Sequence, residues 1–382
     1  MELFEHQKAF LAKNPDKSAL VWSCGTGKTK TAIEWAKGDT LIICPKALKA
    51  NWEREADLCE KVIVVSTKEQ FRKEVKTCPR FDSIIVDEVH VGFLTPGWKS
   101  QMSKALKKYI EHHGVKRVLL LTATPFTSSP WNIYNLAWLT GHHWNWRTFR
   151  FKFFTEVRMG PRIIPVAKKE CEKELAKLTK EIADVVDIND IMDVPLQFHA
   201  EPEYFALNSA QERAIEQAYD PLPIVRFTAE HQIEQRGDKM DRIKALCEEN
   251  PKIAIVCRYL EQIHALEALL KPHYPVYTVS GEVKDRDSVC REAEAAERAV
   301  VLIQADCGLG FELPSFPLCV FASQSYSYTS FEQMCGRFLR MNKPSRTTFM
   351  YLLTEGDSVD KAVYEAVKRK EDFKAELFRK SP

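Results

Sequence analysis

The segment from residue 19 to residue 37 restricts the fold more than any other part of the sequence. An apolar run, Ala19-Leu20-Val21-Trp22, precedes the glycine-rich stretch Gly25-Thr26-Gly27-Lys28-Thr29, and a helical composition follows. Glycines between a strand and a helix let successive backbone N–H groups and the positive helix end face phosphate oxygens. The sequence therefore predicts an α/β unit with a phosphate-binding loop, in which Lys28 contacts the β- and γ-phosphates and Thr29 ligates Mg²⁺.

A second predicted strand ends in two acidic residues. The apolar run Ser83-Ile84-Ile85-Val86 leads into Asp87-Glu88-Val89-His90. Ligands of parallel α/β sheets bind at the carboxyl ends of the strands, which is where this pair is expected. We therefore predict that Asp87 holds Mg²⁺ through water and that Glu88 orients and deprotonates the water that attacks ATP.

Short apolar runs alternate with helical stretches in two parts of the chain, which predicts two parallel-sheet α/β domains in tandem. Each part contains five predicted strands, at 19–22, 40–44, 62–66, 83–87 and 118–122, and then at 253–257, 276–279, 300–304, 318–322 and 348–353. A charged, mainly helical segment is expected between them. The predicted boundaries are 1–140 for the first domain, 141–238 for the helical segment and 239–382 for the second domain.

The overall composition leaves the partner open. The formal net charge is only +2, so a polyanion would need a local basic surface. The eleven cysteines form no CxxC pair, which argues against a zinc site and predicts reduced thiols. The first ten residues show no secretory signal pattern, and no apolar run approaches the roughly 20 residues that span a bilayer. We therefore expect a soluble cytoplasmic protein without membrane contact.

Six segments together resemble the superfamily 2 helicases and translocases, over nearly the whole chain. In order, they are Leu3-Phe4-Glu5-His6-Gln7, the phosphate loop, the DExH-type segment 87–90, Thr122-Ala123-Thr124-Pro125, Gly308-Leu309-Gly310-Phe311-Glu312-Leu313 and Gln333-Met334-Cys335-Gly336-Arg337-Phe338-Leu339-Arg340. The resemblance implies two RecA-like domains that hydrolyse ATP with Mg²⁺ in the cleft between them.

The same resemblance implies roles for individual residues. Gln7 is expected to read the adenine edge, and Gly310 and Glu312 are expected to contribute to nucleotide binding. Four further residues are expected to couple the nucleotide state to domain movement; they are His90, Thr122, Thr124 and Gln333.

Arg337 and Arg340 are expected to act on the ATP from the second domain. ATP hydrolysis spreads negative charge over the γ-phosphate oxygens, which an arginine stabilises when water is excluded. The two residues lie three apart, so a helix would project them from one face. We predict that Arg340 is the main catalytic arginine and that Arg337 supports it; the alternative is a surface pair that forms salt bridges.

Within the superfamily, the sequence is most similar to the Swi/Snf-type translocases of double-stranded DNA. Residues 119–139, LLLTATPFTSSPWNIYNLAWL, resemble the segment that follows the TATP-type motif in that group, and residues 305–313 resemble its glycine-rich stretch. The resemblance implies a minimal form of such a translocase, from a prokaryotic cell or a phage-infected host cell.

Nucleic-acid contacts are expected from polar residues that follow the predicted strands. The candidates are Lys46, Thr67 and Lys68 in the first domain and Arg258, Gly281 and Gln304 in the second. Such residues would contact the phosphate backbone, although each is also typical of a solvated loop. The aromatic and basic residues from 144 to 150 either stack on bases or pack as part of the linker.

Three functions remain open from the sequence. A motor that translocates on duplex DNA is favoured, a strand-separating DNA or RNA helicase is the alternative, and an ATP-gated nucleic-acid clamp is a third. No wedge hairpin is visible in the sequence, which favours translocation over unwinding. The chain has one complete set of motifs, so a monomer is expected to suffice.

Overall fold

The computed structural model describes residues 2–95, 98–123, 132–159, 162–191, 197–218, 220, 223–339 and 346–369. The chain divides into two compact units, Met1–Ile191 and Met192–Pro382. Each contains a parallel sheet flanked by helices, so the predicted tandem of two α/β domains is confirmed. Across these described ranges, no helix has both the length and the apolar composition needed to cross a membrane.

Unit 1 contains a six-stranded parallel sheet. Its strands are β1 (Lys17–Trp22), β2 (Thr40–Cys44), β3 (Ile63–Thr67), β4 (Ser83–Val86), β5 (Arg117–Thr122) and β8 (Ala183–Val186). They lie in the order β3-β2-β4-β5-β1-β8. The described helices of this unit are α1 (Glu5–Lys13), α2 (Lys28–Trp35), α3 (Lys49–Asp57), α4 (Lys68–Glu74), α5 (Gln101–His113), α6 (Asn132–Leu139), α7 (Trp146–Phe153), α8 (Glu172–Ile182) and α9 (Ile188–Ile191). All five strands predicted for the first domain are present.

The central strands are buried on both faces because helices cover both sides of the sheet. All residues of β2 and β4 are buried, as continuous apolar runs predict for a parallel sheet. Along β1, Ala19 belongs to one core cluster, and Leu20 and Trp22 belong to another on the opposite face. The period of two along the strand therefore fixes which side chains reach each helix layer.

Unit 2 contains a seven-stranded sheet. Its strands are β9 (Gln197–His199), β10 (Glu203–Phe205), β11 (Lys252–Cys257), β12 (Val276–Val279), β13 (Ala299–Gln304), β14 (Leu318–Phe321) and β15 (Thr347–Thr354). They lie in the order β10-β15-β14-β11-β13-β12, and β9 also pairs with β15. The described helices of this unit are α10 (Ser209–Gln217), α11 (Pro223–Glu234), α12 (Asp238–Glu249), α13 (Leu260–Leu270), α14 (Arg286–Ala295), α15 (Tyr328–Cys335) and α16 (Val359–Lys368). The five predicted strands of this domain are confirmed.

The segment 141–238 differs from the predicted helical connection. It contains strands as well as helices: β8 pairs with β1 in the first sheet, whereas β9 and β10 pair with β15 in the second. The boundary between the compact units therefore falls at 191/192 rather than on either side of a separate segment. These edge strands have only three or four residues, too few for the sequence to show a strand period.

A β-hairpin is also present in this segment, and the sequence did not predict it. Strands β6 (Phe154–Met159) and β7 (Arg162–Ala167) pair antiparallel and form a two-stranded sheet of their own. The sequence showed no wedge hairpin, whereas the structure contains a hairpin separate from the main sheet. Polar and charged residues interrupt the apolar positions of these strands, and a proline lies within β7, so neither strand resembles a core strand.

Candidate nucleotide site

The glycine-rich loop after β1 has the backbone that the sequence predicts. Gly25 (φ 80°) and Gly27 (φ 83°) both adopt the left-handed conformation, and Gly27 is the N-cap of α2. The Lys28 ammonium donates to the carbonyl oxygens of Trp22 (2.7 Å) and Ser23 (3.0 Å). Lys28 thus lies folded against the loop, and the half-buried Thr29 follows it in the first turn of α2.

Residues of α1 hold this loop from the side. The Gln7 side chain, only 2% exposed, donates from Nε2 to the Gly27 carbonyl (3.1 Å), while its Oε1 accepts from the Phe4 backbone N–H (2.8 Å). His6 Nε2 lies 2.9 Å from the Thr26 carbonyl oxygen. The segment 3–7 therefore positions the phosphate loop directly, a role that the sequence did not predict. Both polar groups of the Gln7 amide retain one further bonding position, as a contact with adenine would need.

Trp22 lies directly before the loop, and its ring belongs to the core. The ring is fully buried and packs edge-on against Phe10 and His6. Its Nε1 donates to Asp184 Oδ1 of β8 at 2.9 Å. The ring therefore packs beneath α1, and the carbonyl of Trp22 is the group that faces Lys28.

The acidic pair follows β4, two strands away from the loop in the same sheet. Asp87 is buried, and its Oδ2 accepts a hydrogen bond of 2.8 Å from Trp52 Nε1 of α3, a contact that the sequence did not reveal. Burial and the neighbouring Glu88 raise the pKa of Asp87, whereas Trp52, Lys28 and Lys68 act in the opposite direction. The electrostatic effect of Lys28 on Asp87 joins the phosphate loop and the acidic pair into one site.

Glu88 has a strained backbone and an unsatisfied carboxylate. Its φ of 46° is uncommon for a residue with a side chain, and its buried Oε2 has no hydrogen-bond partner among the described residues. His90 Nδ1 lies 3.3 Å from this oxygen and 2.9 Å from Thr122 Oγ1. Because burial lowers the pKa of His90 to about 4, this imidazole is neutral at pH 7 and does not neutralise Glu88. A buried, unpaired carboxylate oxygen fits a general base or a group that binds hydrated Mg²⁺.

Thr122 is the last residue of β5, the strand between β1 and β4. It therefore links the phosphate loop and the acidic pair by position, and it reaches the acidic turn through His90. Thr124, the other predicted coupling residue in this segment, lies outside the described residues.

Two predicted nucleic-acid contacts have structural roles instead. Lys68 is only 2% exposed, and its ammonium donates to the carbonyls of Glu88 (2.6 Å) and Val91 (3.2 Å). Thr67 is buried as the N-cap of α4, where its side chain accepts from the Gln70 N–H. Neither side chain is available to a phosphate backbone. Lys46, in contrast, is exposed after β2 and stays a candidate.

In unit 2, the two predicted nucleotide motifs contact one another. The Leu313 N–H donates to the Arg337 carbonyl (2.9 Å), and Arg337 Nε donates to the Gln333 carbonyl (3.1 Å). Gly310 is buried with a φ of 86°, and Glu312 is exposed. Motif residues from the segment 308–313 and from the end of α15 therefore share one end of the unit.

The predicted helix carrying both arginines does not form in the described backbone. Helix α15 ends at Cys335, a short 3₁₀ turn covers Gly336–Phe338, and Leu339 is extended. The prediction that one helical face carries Arg337 and Arg340 is therefore wrong, because the helix ends before it reaches either residue. Arg340 itself lies outside the described residues.

The nucleic-acid candidates of unit 2 follow three neighbouring strands. Gly281 after β12 donates its N–H to Gln304 Oε1 at the end of β13 (2.9 Å). Arg258 after β11 donates to Asp306 Oδ2 (3.3 Å), and its guanidinium lies 3.8 Å from the centre of the Tyr326 ring. The structure thus brings the three residues to one edge of the sheet, with the charge of Arg258 partly balanced by Asp306.

Unit 2 also contains a buried charged cluster that the sequence did not reveal. Asp360 accepts from His231 (2.7 Å), Thr354 (3.0 Å) and the Lys239 ammonium. Both carboxylate oxygens of Glu234 accept backbone N–H groups at the start of α16. Although His231, Glu234 and Asp360 are close enough for a metal site, Lys239 already supplies the cation. The cluster therefore fastens α16 to α11 and α12.

One comparison with known proteins gives a match. Residues 238–342 match the family described as "Helicase conserved C-terminal domain". No curated protein matches the chain. The family match lies within unit 2 and supports a helicase-type protein that hydrolyses ATP and acts on nucleic acid. It includes the motif residues Gly310, Gln333 and Arg337.

Proposed function

We propose that this chain is an ATP-hydrolysing motor that translocates on duplex DNA, a minimal Swi/Snf-type form of the superfamily 2 motors. The observation that carries hydrolysis is the buried Oε2 of Glu88 beside Asp87, which has no hydrogen-bond partner in the part of the chain that the structure describes and lies on the sheet that also carries the phosphate loop. A protein that only bound nucleotide would have no need for a buried carboxylate without a partner. An ATP-gated clamp that does not turn over would likewise have no need for the Glu88 carboxylate.

The roles of the chain's own groups follow from their chemistry. The backbone of residues 25–29 and the Lys28 ammonium bind the phosphates, and Thr29 and Asp87 hold the Mg²⁺. Bound Mg²⁺ neutralises charge on the phosphate oxygens. Glu88 accepts the proton of the attacking water, and Gln7 contacts the adenine.

Residues of the second unit complete the proposal. Arg340, supported by Arg337, stabilises the charge that develops on the phosphate, and Gly310 and Glu312 contribute to nucleotide binding. His90, Thr122, Thr124 and Gln333 couple hydrolysis to movement. The nucleic-acid contacts that remain candidates are Lys46, Arg258, Gly281 and Gln304. A monomer suffices for this cycle, and eleven free cysteines support a reducing, cytoplasmic compartment.

Strand separation is the second candidate, and one structural observation favours it. The hairpin of β6 and β7 forms a sheet of its own beside the main sheet of unit 1, as a wedge between two strands would require. The lack of a visible wedge in the sequence therefore no longer counts against unwinding. Translocation keeps first place because the motif segments resemble that group more closely.

Steady-state ATPase rates test the proposal. The rates are measured without nucleic acid and with duplex DNA, single-stranded DNA or RNA, and Glu88→Gln serves as the blank, with an expected loss of about 10²- to 10⁴-fold. Stimulation by duplex DNA alone supports translocation, and triplex displacement without strand separation would establish it. Stimulation mainly by single strands or RNA places the helicase first, whereas no stimulation by any polymer contradicts a nucleic-acid motor.

A further inference from the structure

Two short stretches of this chain are strongly basic, and in the first, residues 99–117, six basic residues and one acidic residue give a formal charge of +5. The second, residues 144–169, here called the basic arm, contains seven basic residues and one acidic residue, a formal charge of +6, whereas the whole chain carries only +2. The rest of the molecule is therefore net acidic. Charge of this density attracts a polyanion through the release of its counterions.

The basic arm is built from α7 and the hairpin β6–β7, and its aromatic residues serve as its anchor. Phe149 and Phe153 of α7 and Phe154 of β6 are buried in the main core of unit 1. The Lys168 N–H closes the base of the hairpin on the Phe153 carbonyl at 2.9 Å. Of the two roles that the sequence left open for the aromatic residues 144–150, Phe149 therefore has the packing role and is not available to stack on bases.

The opposite side of the arm faces outward. On α7, Arg147 is exposed, and Phe151 is 61% exposed one helical turn further on, with the Arg150 guanidinium 5.2 Å from its ring. On the hairpin, Thr155 pairs with Val166, and Val157 lies two residues further along the same face. Val157 and Val166 are 44% and 46% exposed. The outward side thus combines cations with apolar groups.

Part of the positive charge is available to a partner. Arg150 is paired with Glu156 at 3.1 Å, and Lys152 is paired with Glu174. Arg147 and Lys169 are exposed, and within the described ranges neither takes part in an ion pair. Exposed cations of α7 and of the turn after β7 therefore occur in the same segment as the exposed valines of the hairpin, a combination that suits a polyanionic partner with apolar groups.

We propose that the basic arm binds the phosphate backbone of B-form duplex DNA and lays its two-stranded ribbon in the major groove. The major groove of B-DNA admits a two-stranded β-ribbon, and exposed apolar groups can contact thymine methyls there. The major groove of A-form RNA is too deep and narrow for this. The basic arm rests on the proposed motor function and deepens it, since it gives the motor a duplex-binding surface outside its ATPase motifs.

Salt dependence of binding is the test. Affinity for a fluorescein-labelled DNA duplex of mixed sequence is measured by anisotropy between about 50 and 200 mM salt, a range over which phosphate contacts determine the slope of log K against log salt. The variants are Arg147→Gln with Lys169→Gln, and Arg158→Gln with Arg162→Gln. Because each phosphate contact contributes about 0.9 to the slope, each pair of substitutions should lower it by up to about 1.8.

A matched control removes the same charge elsewhere in unit 1. Lys104→Gln with Lys108→Gln changes two exposed lysines of α5 and should leave the slope unchanged. Basal ATPase rate and Tm establish that all variants fold. If both arm pairs keep the wild-type slope, or if affinity falls for single-stranded DNA or RNA rather than for the duplex, the arm proposal is overturned. Duplex binding through the arm without ATPase stimulation would support the arm and contradict the motor.

Discussion

Replacing Lys68 by methionine tests whether a buried lysine holds the catalytic turn in place. The ammonium donates to the Glu88 carbonyl at 2.6 Å, directly at a residue whose φ of 46° is strained. Backbone strain of this kind costs about 1–3 kcal/mol and persists only where neighbours enforce it. Without the donor, the turn is expected to relax and to carry the Glu88 carboxylate away from its position.

The expected magnitudes separate an effect on catalysis from an effect on stability. Burial lowers the pKa of Lys68 from 10.5 to about 8, so the charge costs about 3 kcal/mol at pH 7, at 1.36 kcal/mol per pKa unit. Methionine removes that cost but also both hydrogen bonds of the ammonium, at about 1.5–3 kcal/mol each for a charged donor, while the Glu88 carbonyl keeps the Val91 N–H at 2.9 Å. The two effects on stability therefore largely offset one another. Relaxation of about 1–3 kcal/mol of strain should lower kcat by about ten- to a hundred-fold.

The pH dependence gives a second, independent readout. The positive charge of Lys68 lowers the pKa of Asp87, so its removal raises that pKa and shifts the acid limb of the ATPase profile to higher pH. The folded-state pKa of Lys68 lies below its unfolded value, so its burial cost is complete below pH 8 and disappears as pH rises through 10.5. The wild type should therefore gain stability relative to the variant over that range.

The assay measures kcat at saturating ATP, the pH profile and Tm for Lys68→Met and for Lys73→Met. Lys73 is an exposed lysine on the same helix, so its replacement should change stability by less than about 0.5 kcal/mol and leave kcat unchanged. A wild-type kcat together with an unshifted acid limb in Lys68→Met would refute the reasoning. A fall of kcat that only follows a fall of Tm would also refute it.

Three further substitutions test contacts that the sequence did not reveal or only partly predicted. Trp52→Phe removes the donor to Asp87, and the Mg²⁺ concentration for half-maximal ATPase should rise about ten-fold or more. Gly27→Ala places a methyl group 2.3 Å from Gln7 Nε2 at a φ of 83°, so nucleotide affinity measured by titration should fall at least about ten-fold. Burial first, and then Asp360, raise the pKa of Glu234 from 4.5 to about 8. The free energy of unfolding of the wild type should therefore fall as pH rises across that interval, and Glu234→Gln should reduce this pH dependence in denaturant unfolding.

Each of these has a control or a contradicting outcome in the same chain. Trp35→Phe deletes an indole donor to the Pro15 carbonyl and should lower Tm without changing the Mg²⁺ requirement. At Gly114, an added methyl group meets no described atom within 4 Å beyond its chain neighbours and the backbone of its own helix, so Gly114→Ala should cost about 1 kcal/mol through its φ of 59° alone. Equal Mg²⁺ requirements in both tryptophan variants, equal affinity in both glycine variants, or an unchanged pH slope in Glu234→Gln would contradict the respective prediction.

The sequence predicted the sheets well because their core strands are continuous apolar runs. All ten predicted core strands exist, and the loop at 25–29 lies between β1 and α2 as expected. The edge strands β8, β9 and β10 were missed because three or four residues carry no recognisable period. Their position depends on which core strand leaves an edge free, which is a property of the whole sheet.

In the site, too, the residues close in sequence were predicted, and the contacts that depend on the tertiary fold were not. The types and spacing of Lys28, Asp87 and Glu88 predicted their place at one end of the sheet, because parallel strands carry their carboxyl ends to a common edge. Lys68 also follows a strand, and local rules treat a lysine in that position as solvated. Only the pairing of β3 with β2, which in turn pairs with β4, brings the Lys68 ammonium to the acidic turn.

The sequence around each residue therefore does not reveal the buried cation that lies near the two carboxylates of this site. Its burial is costly, as the lowered pKa of Lys68 indicates, and it persists because it stabilises a backbone turn that the chain does not otherwise adopt. Asp360 in unit 2 shows the opposite arrangement: although burial opposes its ionisation, Lys239 and His231 hold the pKa of this carboxyl well below its usual range. In each unit one buried lysine therefore stabilises an acidic segment: Lys239 binds Asp360 in unit 2, and Lys68 binds the turn that carries Glu88 in unit 1.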